Sequence, residues 1–221
     1  MNKPVNYRNK RCVIITSYLE NPLPVIYVPE TGDYIIAADR GYLHATGSGV
    51  IPDLVVGDFD SLGGDKISVC ETKIIRTPAE KDDTDTMLAV KLGLAAGYRD
   101  FFIVGGIGGR LDHTYANLQA LSYCIDNGAA VWISDGSNKT TMTDASEFTL
   151  KKEDGYYFSL FSWSERSSGV TIQNAKYLLS DAVLSRSSPL GVSNEFLEDS
   201  VQITKKSGRL LIILSQKDLG I

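Results

Sequence analysis

Phe101-Phe-Ile-Val104, then Gly105-Gly-Ile-Gly-Gly-Arg-Leu-Asp-His113, then a helical run closed by Asn127-Gly128, then Ala130-Val-Trp-Ile133: this stretch decides the fold. The two apolar, β-branched runs read as strands covered on both faces. Between them, His113 to Asn127 sets Leu118, Leu121 and Ile125 at helical spacing, and Asn127-Gly128 supplies the stop. Strand, glycine loop, helix and strand in that order predict a parallel α/β sheet.

The pattern extends upstream. Cys12-Val-Ile-Ile-Thr16, Tyr34-Ile-Ile-Ala-Ala38, Leu54-Val-Val56 and Lys73-Ile-Ile-Arg76 are further short buried strands. Thr84 to Ala96 predicts a helix with Met87, Leu88, Leu92, Leu94 and Ala95 mostly on one side and Gly97 just past its end. The order of strands in the sheet does not follow from these runs.

Downstream of residue 140 the texture changes. Glu147–Lys151, Tyr156–Phe161, Gly169–Ile172, Val201–Thr204 and Arg209–Leu214 read as strands. Turn residues such as Glu153-Asp-Gly155, Ser167-Ser-Gly169, Ser187-Ser-Pro189 and Lys206-Ser-Gly208 separate them. The aromatics Tyr156, Tyr157, Phe158, Phe161 and Trp163 supply its core. The expected architecture is an α/β, parallel-sheet nucleotide-binding domain over 1–138 and a smaller all-β sandwich over 139–221, divided near Asp135-Gly-Ser-Asn-Lys139.

Composition narrows the class. The 221 residues are 43% hydrophobic, enough for a core without disulfides. A formal net charge of −5 and the absence of a long basic run argue against a general nucleic-acid binder. Cys12, Cys70 and Cys124 are scattered and form no C-x-x-C pair, so they read as small buried hydrophobes in a reducing compartment. The polar, basic first eleven residues lack a signal-peptide core, and no apolar run approaches a membrane span. A cytoplasmic protein with neither membrane nor nucleic-acid partner is expected.

Three constellations carry chemistry. Val56-Gly57-Asp58-Phe59-Asp60-Ser61 sets two carboxylates two residues apart at a strand end. In extended geometry both aim the same way, and they repel unless a cation lies between them. Thr77-Pro-Ala-Glu-Lys-Asp-Asp-Thr-Asp85 leads into the second helix. Asp82 as N-cap with Asp85 at N3 accounts for one or two of its acids, and a metal site accounts for the crowd. The glycine loop, ending in Arg110, Asp112 and His113, offers backbone N–H groups, a helix N-terminus and a guanidinium to a phosphate. It matches neither the Walker A loop nor the dinucleotide fingerprint, and tight strand–helix packing explains the glycines equally well.

Single residues read more blandly. Asp39, in Ala37-Ala-Asp-Arg-Gly41, stands at a strand's carboxyl end, where ligands bind in such sheets, though a turn or cap residue explains it alone. His113 is a proton carrier or, preferably, a helix-start residue, and His44 an ordinary helix or surface residue.

Taken in order, Ala38-Asp-Arg-Gly41, Pro52-Asp-Leu-Val-Val-Gly-Asp-Phe-Asp-Ser61, Asp82-Asp-Thr-Asp85, Gly105-Gly-Ile-Gly-Gly-Arg-Leu-Asp-His-Thr-Tyr-Ala-Asn117 and Leu190-Gly-Val-Ser-Asn-Glu-Phe196 resemble the thiamine pyrophosphokinase family. The resemblance implies Mg²⁺-dependent transfer of a pyrophosphoryl group from ATP to the hydroxyl of thiamine, leaving AMP and thiamine diphosphate. It implies an ATP-binding N-terminal domain, a thiamine-binding and dimerisation β-sandwich, and a homodimer with thiamine near the subunit interface. Carried over by motif, Asp58, Asp60 and Asp85 are the metal-binding carboxylates, with Asp39 and Asp82 in support. Arg110 and Asp112 hold phosphates and metal-bound water, and Asp85 orients or deprotonates the thiamine hydroxyl. Thr84 and His113 fall on the substrate side, and Ser193 and Asn194 match a C-terminal motif near the site. The family often has Gly-Leu-Lys before an aromatic. Here Asn174-Ala175 stand in place of Gly-Leu, and Tyr177 keeps the aromatic expected to stack on thiamine. The alternatives are a Mg²⁺-dependent nucleotide or diphosphate phosphohydrolase and a non-catalytic nucleotide or thiamine sensor.

Overall fold

The computed structural model describes residues 10–58, 72–76 and 82–217. Two compact units divide the chain, one through Gly136 and the other from Ser137.

The first unit is built on a wholly parallel sheet. Its strands are β1 (Cys12–Ile15), β2 (Tyr34–Ala38), β3 (Leu54–Gly57), β4 (Lys73–Arg76), β5 (Asp100–Val104) and β6 (Ala130–Ser134), with helices α1 (Leu23–Ile26), α2 (Gly41–Gly47), α3 (Asp85–Ala95) and α4 (Leu111–Asp126) between them. The spatial order is β6-β5-β1-β2-β3-β4. Chain growth therefore runs outward from β1 through β4, then restarts on the other side of β1, where β5 pairs in register from Cys12↔Phe101 to Ile15↔Val104. The crevice outside the carboxyl ends of β1 and β5 is the topological switch point of such a sheet.

Every residue of β1 is fully buried, which explains its unbroken apolar run. The helices pack closer than their large residues suggest. On α3 the buried positions are Thr86, Ala89, Val90 and Gly93, whereas Met87, Leu88, Leu92 and Leu94 are half-buried and Ala95 is exposed. The expected face is thus displaced. A Cβ at Gly93 would sit 2.6 Å from Phe101 Cε1 and 2.9 Å from Cys12 Sγ, so the small residues form the face that meets the sheet. On α4, likewise, Asn117, Ala120, Leu121 and Cys124 are buried, while Leu118 and Ile125 are half-buried. Cys12 and Cys124 are buried free thiols, and burial pushes the Cys124 thiol up to about 12. Cys70 lies outside the described residues.

Among the described residues the second unit contains only strands: β7 (Asn138–Thr143), β8 (Glu147–Lys151), β9 (Tyr156–Ser162), β10 (Arg166–Gln173), β11 (Leu179–Ser185), β12 (Gly191–Asn194), β13 (Ser200–Thr204) and β14 (Leu210–Gln216). Its pairings are antiparallel, in the orders β12-β9-β14-β7 and β11-β10-β13-β8. Burial alternates strictly along β9, with Tyr156, Phe158, Leu160 and Ser162 inward, as the period of two requires. Val170, Ile172, Val201 and Ile203 form the buried face of the other sheet. Among the described residues no helix is long and apolar enough to cross a membrane.

Candidate functional site

A cavity of about 440 Å³ opens at the switch point of the parallel sheet. Thr16, Ser17 and Tyr18, directly after β1, form one wall. Asp39 and Arg40 after β2, Thr84 to Thr86 at the start of α3, and Gly106, Gly108, Arg110, His113 and Asn117 of the glycine loop and α4 complete it. Asp39, Thr84, Asp85, Arg110 and His113, dispersed along the sequence, thus share one cavity.

Asp39 is its most unusual group. Its φ is +48°, the left-handed region that acids and amides tolerate better than other side chains. Oδ2 accepts a hydrogen bond from Ser17 Oγ at 3.1 Å, whereas Oδ1 is buried without a hydrogen-bond partner among the described residues. A Cβ at Gly57 would lie 3.0 Å from Asp39 Cα, so the glycine at the end of β3 admits this backbone.

The acidic stretch resolves into separate roles. Thr84, not Asp82, caps α3: its Oγ1 accepts the Met87 N–H at 3.2 Å, leaving Asp85 in the first turn. Asp82 is exposed. Asp83 takes both its bonds from Lys91 Nζ, at 2.8 and 2.6 Å. Asp58 follows β3 and is half-buried, while Asp60 and Glu80 lie outside the described residues. Among the described residues no three His, Cys, Asp or Glu side chains are grouped to hold a metal.

The glycine loop is tied down from within. Gly105 N–H donates to Ser134 O (2.7 Å), Gly106 N–H to Tyr18 O (2.8 Å) and Gly108 N–H to Thr114 Oγ1 (3.2 Å). The buried Asn117 amide donates to Gly106 O at 2.8 Å. Packing demands the glycines: a Cβ at Gly105 would meet Leu19 Cδ2 at 2.2 Å, and one at Gly106 would meet Asn117 Nδ2 at 2.5 Å. Arg110 ends the loop as the residue before α4 and grips Asp112 with Nε and Nη2 at 3.2 and 2.6 Å. The guanidinium holds the Asp112 carboxyl below its usual range, and Asp112 raises Arg110 in turn. Both side chains are mostly exposed.

Tyr177, Ser193 and Asn194 belong to the second unit. Tyr177 is exposed, whereas Asn194 is buried with its side-chain amide on the Tyr177 backbone. Asn174 has φ +65°, the left-handed region that asparagine, after glycine, enters most readily. Ser193 also has positive φ, +56°, and its N–H donates to Ser159 Oγ at 3.0 Å.

Two family models match this chain: "Thiamin pyrophosphokinase, catalytic domain" over residues 27–133 and "Thiamin pyrophosphokinase, vitamin B1 binding domain" over 146–210. A thiamin pyrophosphokinase family protein from Enterococcus faecalis is 30% identical, with a TM-score of 0.82 over 94% of this chain and 100% of that one. The chain belongs to the thiamine pyrophosphokinase family. A further relative, the thiamine pyrophosphokinase of Bacillus subtilis, is 29% identical over 184 residues, 81% of this chain and 86% of that protein. The crystal structure titled as the Bacillus subtilis enzyme superposes with a TM-score of 0.85 at 25% identity, covering 95% of this chain and 100% of that one.

For a thiamine pyrophosphokinase, the residues that sequence reasoning passed over are those after β1. Thr16, Ser17 and Tyr18 carry no motif. Their signal is positional, since β1 borders the switch point only once the strand order is known. His44 also finds a partner far along the chain, its Nε2 lying 3.1 Å from Ser17 O.

Proposed function

We propose that this chain catalyses transfer of the pyrophosphoryl group of ATP to the hydroxyl of thiamine, yielding AMP and thiamine diphosphate. The switch-point cavity, lined together by Asp39, Asp85 and Arg110, supports this reading most directly. The unpartnered Asp39 Oδ1 fits a divalent cation, because burying a bare carboxylate oxygen is costly without a positive partner. Hard oxygen donors suit Mg²⁺, and Asp58, Asp60 and Asp85, with Asp39 and Asp82 in support, would hold it. When bound, Mg²⁺ supplies charge neutralisation to the polyphosphate.

The protein's own part is positioning and electrostatics. Arg110 turns from Asp112 to the phosphates and meets the charge that grows as AMP departs. Asp112, released from it, would hold metal-bound water, and the N-terminus of α4 adds favourable potential. Asp85, beside its Thr84 cap, orients or deprotonates the thiamine hydroxyl for attack on the β-phosphorus. A loose transition state asks little of that base. Acidic walls also suit the cationic thiazolium.

In this reading residues 1–138 bind ATP, and 139–221 form a sandwich for thiamine binding and dimerisation. Tyr177 stacks on the thiazolium with Ser193 nearby, and a cytoplasmic homodimer is the working form. The test is incubation with ATP and Mg²⁺, with and without thiamine. AMP formed only with thiamine supports transfer, and ATP loss indifferent to thiamine replaces it with hydrolysis.

A further inference from the structure

Tyr18 touches the glycine loop at more than one point, and none of the sequence motifs includes it. Its carbonyl accepts the Gly106 N–H at 2.8 Å and lies 3.1 Å from Thr16 Oγ1. Its ring lies flush on the loop: a Cβ at Gly109 would be 2.8 Å from Cε2 and 3.0 Å from Cζ, and one at Gly108 would be 3.2 Å from Cε1. The phenol donates to the Glu20 carboxylate. Gly108 and Gly109 both have positive φ, +91° and +57°, so the ring occupies the space that their missing side chains leave. Arg110 follows immediately and is the residue before α4.

We propose that Tyr18 is a positioning residue: its ring, held by Glu20, presses Gly108 and Gly109 into the one conformation that presents Arg110 to the polyphosphate of ATP. The proposal rests on the reading that Arg110 binds those phosphates. Ring contact and loop shape are coupled because a loop of consecutive glycines has wide conformational freedom of its own. Without the ring, that freedom returns, and the guanidinium spends less time in the binding geometry.

The test is calorimetric titration of α,β-methylene-ATP with Mg²⁺ into the full chain and its variants, with thiamine KM and melting temperature measured alongside. Tyr18→Ala is expected to weaken nucleotide binding roughly tenfold, as expected for a displaced binding group. Tyr18→Leu, which keeps an apolar side chain, is the second variant should the alanine protein not fold. Tyr18→Phe keeps the ring and loses less. Thiamine KM stays unchanged in all three. Because Tyr18 acts through Arg110, Tyr18→Ala should cost nothing further in an Arg110→Met background. Equal losses in both backgrounds overturn the proposal, as does an unchanged affinity in Tyr18→Ala while Arg110→Met binds weakly. Full affinity in Arg110→Met removes the phosphate reading of Arg110 and the proposal with it, a result distinct from the other two. A parallel rise in thiamine KM marks general loosening and also overturns it.

Discussion

Asn194 closes a two-bond ring on the backbone of Tyr177: Oδ1 accepts the Tyr177 N–H at 2.9 Å, and Nδ2 donates to the Tyr177 carbonyl at 2.7 Å. The same Oδ1 accepts the Glu195 N–H at 2.9 Å. The amide is spent on the backbone, so the tyrosine is fixed at its root while the residue stays 58% exposed. Asn194→Ala should cost about 2 kcal/mol, read as a lower thermal midpoint, because it removes the partner of three part-buried backbone groups. Tyr177→Ala should cost far less stability and instead raise thiamine KM. A fully stable Asn194→Ala protein would refute the bracing role.

Asp39 offers the opposite balance. Asparagine tolerates the +48° backbone as aspartate does, and its neutral amide would carry no charge into a site where Oδ1 has no partner. Asp39→Asn is expected to fold at least as stably as the parent, by up to about 1 kcal/mol, and to lose roughly a hundredfold in thiamine-dependent AMP formation. Melting curves and steady-state rates check both halves. Near-normal turnover would remove Asp39 from the cation's surroundings.

At Thr84 the capping bond can be separated from the side chain's place in the cavity. Thr84→Ala removes the acceptor for the Met87 N–H and should destabilise the fold by about 1 kcal/mol, whereas Thr84→Ser keeps the bond and most of the stability. Chemical denaturation of the three proteins makes the comparison.

Acid should find a weak point at Asp33. Its carboxylate accepts from Arg11 Nε and Nη2 at 3.0 and 2.9 Å, from Tyr27 Oη at 2.7 Å and from the Glu30 N–H at 3.0 Å. Burial pushes its pKa up, but Arg11 and the other donors outweigh burial and hold it below the ordinary carboxylate value. A depressed folded pKa means stability that is complete above the unfolded value near ~4 and is lost as pH falls through the folded one. Asp33→Asn should therefore cost about 3 kcal/mol at neutral pH, with the gap closing as the pH drops below ~4. A gap that persists undiminished at the lowest pH where the parent still folds would contradict the ion pair's role.

The runs Cys12–Ile15 and Tyr34–Ala38 were legible as strands because burial on both faces leaves an uninterrupted apolar signature, whereas Lys73–Arg76, expected to be buried as well, has Lys73 and Arg76 exposed and its two isoleucines half-buried. Asn138–Thr143 carries no such signature. It is a strand of Asn, Lys and Thr beside one Met, made by its antiparallel pairing with Leu210–Ser215, a partner some seventy residues away. Leu179–Ser185 and Gly191–Asn194 are hidden for the same reason, their polar or exposed faces masking the period of two. The helical faces misled in the other direction, since Gly93 and Ala89 on α3 lie deeper than the leucines that flank them.

By itself the sequence determined the alternation of strands and helices, the change to an all-strand second half, and the motifs that resemble thiamine pyrophosphokinases. Those are local properties, written in the spacing of apolar residues, glycines and acids. Only the tertiary structure decided that β5 returns to the far side of β1, and so that Thr16, Ser17 and Tyr18 line one cavity with Arg110 and Asp39. A parallel strand satisfies its backbone hydrogen bonds equally well on either edge, so the choice of neighbour is made by packing between segments far apart in the chain.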